Sequence, residues 1–131
     1  MNAPSVEPLW RWAFRCGIAP AMSTEALSAL RHALVIDDPA LIQGAIVLSR
    51  DGAPCQGCAI SLAGMRGHQL PTALDVQNYF LTVASGADER LGPFASCGWF
   101  LHWWDDTPRA VVVPALLALV EEILEQRVMA G

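Results

Sequence analysis

The chain has 131 residues, enough for one domain whose hydrophobic core needs no disulfide or metal to fold. Hydrophobic residues make up 53% of the sequence and charged residues 16%, a composition that excludes intrinsic disorder. The net charge is −5 and the eight basic residues are scattered arginines, which excludes a surface built to bind the phosphate backbone of nucleic acids.

The sequence shows no signal for export or for membrane insertion. Its first eight residues lack a basic stretch followed by an apolar one. The longest uncharged run near the C-terminus, residues 110–120, has 11 residues, whereas a bilayer span needs about 20. We therefore expect a cytoplasmic protein that does not bind membranes and whose cysteines stay reduced.

In the first third of the chain, glycines and capping residues mark the expected helix boundaries. The first helix is expected to end at Gly17 in a left-handed conformation. Ser23 or Thr24 is placed to cap a second helix, whose leucines recur at helical spacing. The sequence Asp-Asp-Pro at residues 37–39 repeats the start signal and predicts a short helix over residues 40–43.

The segment from Ala45 to Leu48 is ambiguous. Its four apolar residues, two of them β-branched, fit either a short strand or a buried helical piece. Because one strand without a partner does not make a sheet, we interpret the segment as irregular and buried.

The clearest helix follows Thr72, which is placed to cap it together with Asp75. Apolar residues from Val76 to Leu91 recur on one face, and Gly92 followed by Pro93 ends the helix. A shorter helix, over residues 58–64, is expected before it.

A C-terminal helix is expected after Thr107 and Pro108, with Pro114 kinking it or delaying its start. No internal repeat or linker is present. The pattern predicts an all-α fold, a single compact domain over residues 1–131 with five to seven short helices around a tryptophan-rich central helix.

That central helix is predicted over residues 94–104, which hold three of the five tryptophans. Apolar side chains on nearly every side of it indicate burial. A domain of this size fully buries only about two or three tryptophans, so we expect Trp99 and Trp103 in the core and Trp104 at the surface. Tryptophan is enriched in interface hot spots, and the candidate partner-binding residues are Trp10, Trp12, Trp104, Asp105 and Asp106.

The cysteines raise an alternative. Cys55 and Cys58 form a C-x-x-C pair that, with Cys97 and His102, would supply four zinc ligands. Cys97 and His102 are about 140° apart on a helix, so they would face one ion only if the helix were interrupted, for example at Gly98. We therefore expect the cysteines to pack as small apolar side chains, with no cofactor.

Catalytic signatures such as G-x-S-x-G, H-E-x-x-H and glycine-rich phosphate loops are absent from the sequence. The primary hypothesis is a non-enzymatic helical protein that binds a protein partner, as adaptor, assembly factor or inhibitor, or that associates with itself. The alternative is a zinc- or iron-binding helical domain using Cys55 and Cys58. An enzyme with an unfamiliar site is the third possibility.

Overall fold

The structure, a computed structural model, describes residues 7–92 and 96–130. It is 71% helical, which confirms the predicted mostly-α fold. The predicted helix stop at Pro93, the predicted start at Phe94 and the two ends of the predicted domain lie outside the described residues. The helices are α1 (Leu9–Ala13), α2 (Thr24–Val35), α3 (Ala59–Gly67), α4 (Ala73–Leu91), α5 (Ser96–Asp106) and α6 (Arg109–Ala130), and the strands are β1 (Val47–Arg50) and β2 (Ala53–Gly57).

The starts of α2 and α4 have the side-chain caps that the sequence indicates. Ser23 Oγ accepts a hydrogen bond from the Ala26 amide at 3.0 Å, and Thr72 Oγ1 accepts one from the Asp75 amide at 3.1 Å. Each cap satisfies one of the amides that a helix N-terminus leaves without a partner. Gly92 follows α4 with φ of 101°, a conformation that glycine adopts without strain.

The prediction that the first helix ends at Gly17 is wrong, because the helical backbone continues beyond this residue. After α1 the backbone continues through a π-helical turn, Phe14–Ile18, and a 3-10 turn, Ala19–Ala21. A Cβ at Gly17 would lie 2.8 Å from Leu91 Cδ1, so glycine permits the close approach of α4. Arg90 Nη1 donates a hydrogen bond to the Gly17 carbonyl at 3.2 Å.

The predicted short helix over residues 40–43 is also wrong. This stretch is a loop whose carbonyl groups accept hydrogen bonds from distant residues, among them the Gly57 amide, which donates to the Ala40 carbonyl at 2.9 Å. Arg109 donates to the carbonyls of Asp38 and Leu41, and Trp104 Nε1 donates to that of Ile42 at 2.9 Å. Those donors replace the bonds that a helix would have supplied.

The segment from Ala45 to Leu48 is not buried as expected, and only its first half is irregular. Its second half belongs to β1, which pairs antiparallel with β2 in a hairpin, and Leu48 is exposed. Asp51 and Gly52 form the turn with φ of 54° and 82°, the positive values that a two-residue hairpin turn of type I′ requires.

Helix α6 runs antiparallel to α2 along its length. Arg109 Nε lies 2.9 Å from Asp37 at one end, and Arg127 donates to Thr24 at the other. Between them Arg31 pairs with Glu121 at 3.0 Å. The helix begins at Arg109, so Pro114 does not delay its start. No helix of the described residues is long and apolar enough to cross a membrane.

Candidate functional site

An aromatic cluster joins α1, the π-helical turn and α5. Phe100 is at its centre, with ring centroids 5.0 Å from Phe14, 5.9 Å from Trp103 and 6.2 Å from Trp104. Phe14, Phe100 and Trp104 are fully buried. The outer layer is Trp103, whose ring stacks on that of Trp10 at 3.6 Å with an interplanar angle of 3°.

Two tryptophans of this cluster reach the surface, and a third tryptophan of α5 lies on the same side. Trp10 and Trp103 are half-buried, and Trp99, one helical turn before Trp103 on the same face of α5, is 43% exposed. We call these three residues the tryptophan surface. Leu9, 51% exposed, borders it at the start of α1.

The expected division of the α5 tryptophans is wrong. Trp104 is fully buried, and Trp99, expected in the core, is exposed. The inward stripe of α5 is formed by Cys97, Phe100 and Trp104, at i, i+3 and i+7, because these residues face the π-helical turn and the loop before β1. The sequence contains this spacing, but Trp99 and Trp103 are also four residues apart, so spacing alone does not decide which stripe faces inward.

The other candidate residues lie outside the tryptophan surface. Trp12 is half-buried and is two residues from Trp10, about 200° around α1. Asp105 is exposed, and its Oδ1 accepts a hydrogen bond from the Gly44 amide at 2.8 Å. Asp106 Oδ2 lies 3.0 Å from His102 Nδ1 on the exposed side of α5. Of the five candidate partner-binding residues, only Trp10 belongs to the tryptophan surface.

The charged residues in and next to α1 form ion pairs. Glu7 contacts both Arg11 and Arg15, and Arg11 Nη2 also reaches Glu122 Oε1 at 2.8 Å. The hydrogen bond from Arg15 holds the pKa of the Glu7 carboxyl below its ordinary value. This pairing leaves aromatic area, rather than an unpaired charge, as the main feature that α1 and α5 offer to a partner.

The four residues of the metal-site alternative do not form a cluster. Cys55 and His102 are exposed, whereas Cys58 and Cys97 are buried. Burial raises the pKa of the Cys58 thiol, and it raises that of Cys97 to about 12, so both are held as thiols. Within residues 7–92 and 96–130, no group of three or more His, Cys, Asp or Glu side chains could hold a metal ion.

Comparison with protein families, with curated proteins and with solved structures finds no match to this chain. The geometry of the site is therefore the basis for a functional argument. Trp10 and Trp103 are in direct contact, so no slot is left between them for a small molecule. An exposed aromatic surface without such a slot suits a macromolecular partner better than a substrate.

Proposed function

We propose that this protein is a non-catalytic interaction module that binds another protein through the tryptophan surface. The observation that carries the proposal is the exposure of Trp99, 43%, beside the stacked pair of Trp10 and Trp103. Tryptophan is the residue type most enriched in interface hot spots, where aromatic side chains are anchored and surrounded by water-excluding neighbours. An adaptor, an assembly factor or an inhibitor would act through such a surface.

Four further features support this proposal. The stacked pair is fixed by the buried layer beneath it, so a partner would not bear the entropic cost of ordering these side chains. The charges of Glu7, Arg11, Arg15 and Glu122 are paired with one another, which favours a partner with an apolar anchor over a strongly charged one. The net charge of −5 argues against nucleic acid as that partner. The free cysteines are consistent with action in the cytoplasm.

A pair of matched variants tests the proposal. Wild-type protein, Trp99→Ala and Leu74→Ala would be immobilised and exposed to an extract of the source cells. Retained proteins would be quantified by mass spectrometry. Leu74 is 64% exposed on α4, so Leu74→Ala removes a comparably exposed apolar side chain elsewhere.

We expect a specific protein to be retained by wild type and Leu74→Ala and lost with Trp99→Ala. With that partner purified, Trp99→Ala should weaken the Kd by at least about 30-fold, the effect of losing a hot spot of about 2 kcal/mol. Circular dichroism would verify that both variants remain folded. If no retained protein distinguishes Trp99→Ala from Leu74→Ala, the proposed role of the surface is wrong.

A further inference from the structure

One glycine of the described chain, Gly98, has no explanation in the fold of the monomer. Gly44, Gly52 and Gly92 have positive φ values, between 82° and 101°, which glycine adopts without strain. At the remaining described glycines, a Cβ would lie 3.0 Å or closer to a neighbouring atom, so close packing accounts for them: Gly17, Gly57, Gly64, Gly67 and Gly86. At Gly98 no neighbouring side chain or other element of the described chain lies within 4 Å of such a Cβ.

Keeping glycine at this position of α5 is unfavourable for the isolated chain. Glycine in a helix is less stable than alanine because its backbone loses more conformational freedom on folding. No contact among the described residues offsets this cost at Gly98. The advantage that glycine brings is that another chain can approach the backbone more closely than any side chain would allow.

Gly98 lies beside the tryptophan surface. It is exposed and directly precedes Trp99, about 100° around α5. His102, whose side chain is 78% exposed, follows Gly98 by one helical turn. These are three corners of the four-residue hole, at i, i+3, i+4 and i+7, that receives a side chain when two helices pack, and the first corner, residue 95, lies outside the described residues. We call Gly98, Trp99 and His102 the glycine notch.

The charges of α5 indicate which kind of helix fits the glycine notch. Asp105 and Asp106 are exposed, and the described α5 contains no lysine or arginine. The Asp106 side chain is 61% exposed and lies beside His102 of the same helix. A second copy of this chain is disfavoured because each copy has a net charge of −5, and like charges oppose association. A helix with lysine or arginine next to its apolar face is complementary.

We propose that the partner of the tryptophan surface binds through a basic amphipathic helix that crosses α5 at the glycine notch. An apolar side chain of that helix enters the notch over Gly98 and packs against the Trp99 ring. A basic residue further along the helix reaches Asp106, which is seven positions after Trp99 and therefore on the same side of α5. The proposal rests on the proposed function and names the element of the partner that binds.

Gly98→Ala separates binding from folding. The added methyl meets no described neighbour, so the urea midpoint of unfolding should equal or exceed that of wild type. The same methyl occupies the notch, so the affinity for a helix should fall at least about tenfold, as overpacking a close contact does. Ser85→Thr is the matched control: it adds one methyl at an exposed position of α4 and should bind like wild type.

The probe is a synthetic peptide of alanine, leucine and lysine, about 18 residues or five helical turns long, with leucines on one face. Isothermal titration calorimetry compares it with a matched peptide in which glutamate replaces lysine. We expect wild type to bind the lysine peptide at least about tenfold more tightly, and Asp106→Asn to reduce that preference. No binding of the lysine peptide by wild type, equal binding of the two peptides, or an affinity that Gly98→Ala leaves unchanged would overturn the proposal.

The experiment with cell extract distinguishes this proposal from the proposed function when Gly98→Ala is added to the immobilised variants. We expect the same protein to be lost with Trp99→Ala and with Gly98→Ala. A protein lost with Trp99→Ala but retained by Gly98→Ala would overturn the helical partner and leave the tryptophan surface in place. Binding of the lysine peptide that depends on Gly98, without any retained protein that depends on Trp99, would contradict the proposed function but not the glycine notch.

Discussion

Replacing Trp104 with phenylalanine should destabilise the fold far more than the same replacement at Trp99. Trp104 is fully buried, and its Nε1 donates to the Ile42 carbonyl at 2.9 Å. Leaving that half-buried carbonyl without its donor costs about 1–2 kcal/mol. The smaller ring leaves a void that costs about 1 kcal/mol more. We therefore expect Trp104→Phe to lower the free energy of unfolding by about 2–3 kcal/mol.

Urea unfolding followed by far-UV circular dichroism measures this difference. Domains of this kind are stable by about 5–15 kcal/mol, so Trp104→Phe should remain folded, with a Tm lower by roughly 10 °C. Trp99 is 43% exposed and donates no hydrogen bond to the described residues, so Trp99→Phe should cost less than about 1 kcal/mol. Equal losses in the two variants would refute the assignment of Trp104 to the core and Trp99 to the surface.

Three more predictions concern close packing, a phenol and the thiols. Gly67→Ala should lower the free energy of unfolding, measured in urea, by about 2–3 kcal/mol, because a Cβ there would lie 2.5 Å from a Cα atom of α2. Gly98→Ala is the control: no atom lies within 4 Å of the new Cβ, so this variant should be as stable as wild type or more stable. Tyr79 Oη is buried with no hydrogen-bond partner among the described residues, so Tyr79→Phe should be at least as stable as wild type. Burial raises the pKa of this sole tyrosine from 10.0 to about 12, so absorbance titration of the native protein should show a midpoint near 12. The contribution of the protonated Tyr79 phenol to the free energy of unfolding should be complete below pH 10 and lost as the pH rises towards 12. A titration midpoint near 10 would contradict the burial of Tyr79. Iodoacetamide should label Cys55 in the native protein and Cys58 only after unfolding, as mapped by mass spectrometry, and equal labelling would contradict the burial of Cys58.

Features that depend on neighbouring residues in the sequence were predictable. The caps at Ser23 and Thr72 and the end of α4 at Gly92 each involve residues within four positions of one another. The helical content follows from these signals and from apolar spacing. Trp10 was predictable as a candidate site residue because tryptophan is common in interfaces and α1 is too short to bury all of its aromatic area.

Features that depend on distant partners were not predictable. The loop at residues 40–43 lacks a helix because donors from Arg109 and Trp104 satisfy its carbonyls. The β1–β2 hairpin has a short second strand with proline and glycine and no apolar alternation, so only its Asp-Gly turn marked it. Trp99 was predicted in the core because helical spacing alone gives two candidate inward stripes on α5. Which stripe faces inward is set by the elements that pack against the helix.

The loop at residues 37–44 has a consequence for how the chain is made. Some of its contacts come from Gly57 and Arg66, but those from Asp105, Trp104 and Arg109 are made by residues 61 to 72 positions later in the sequence. At ribosomal rates of about 5–20 residues per second, that separation corresponds to roughly 3–14 s of synthesis. During this time α2 is complete and Arg66 can reach Asp38, but α6 does not yet exist, so the nascent chain exposes apolar side chains such as Leu34 that the finished fold buries. A rare-codon pause placed after residue 44 and before residue 109 would lengthen this window, and aggregation of the nascent chain should rise with it.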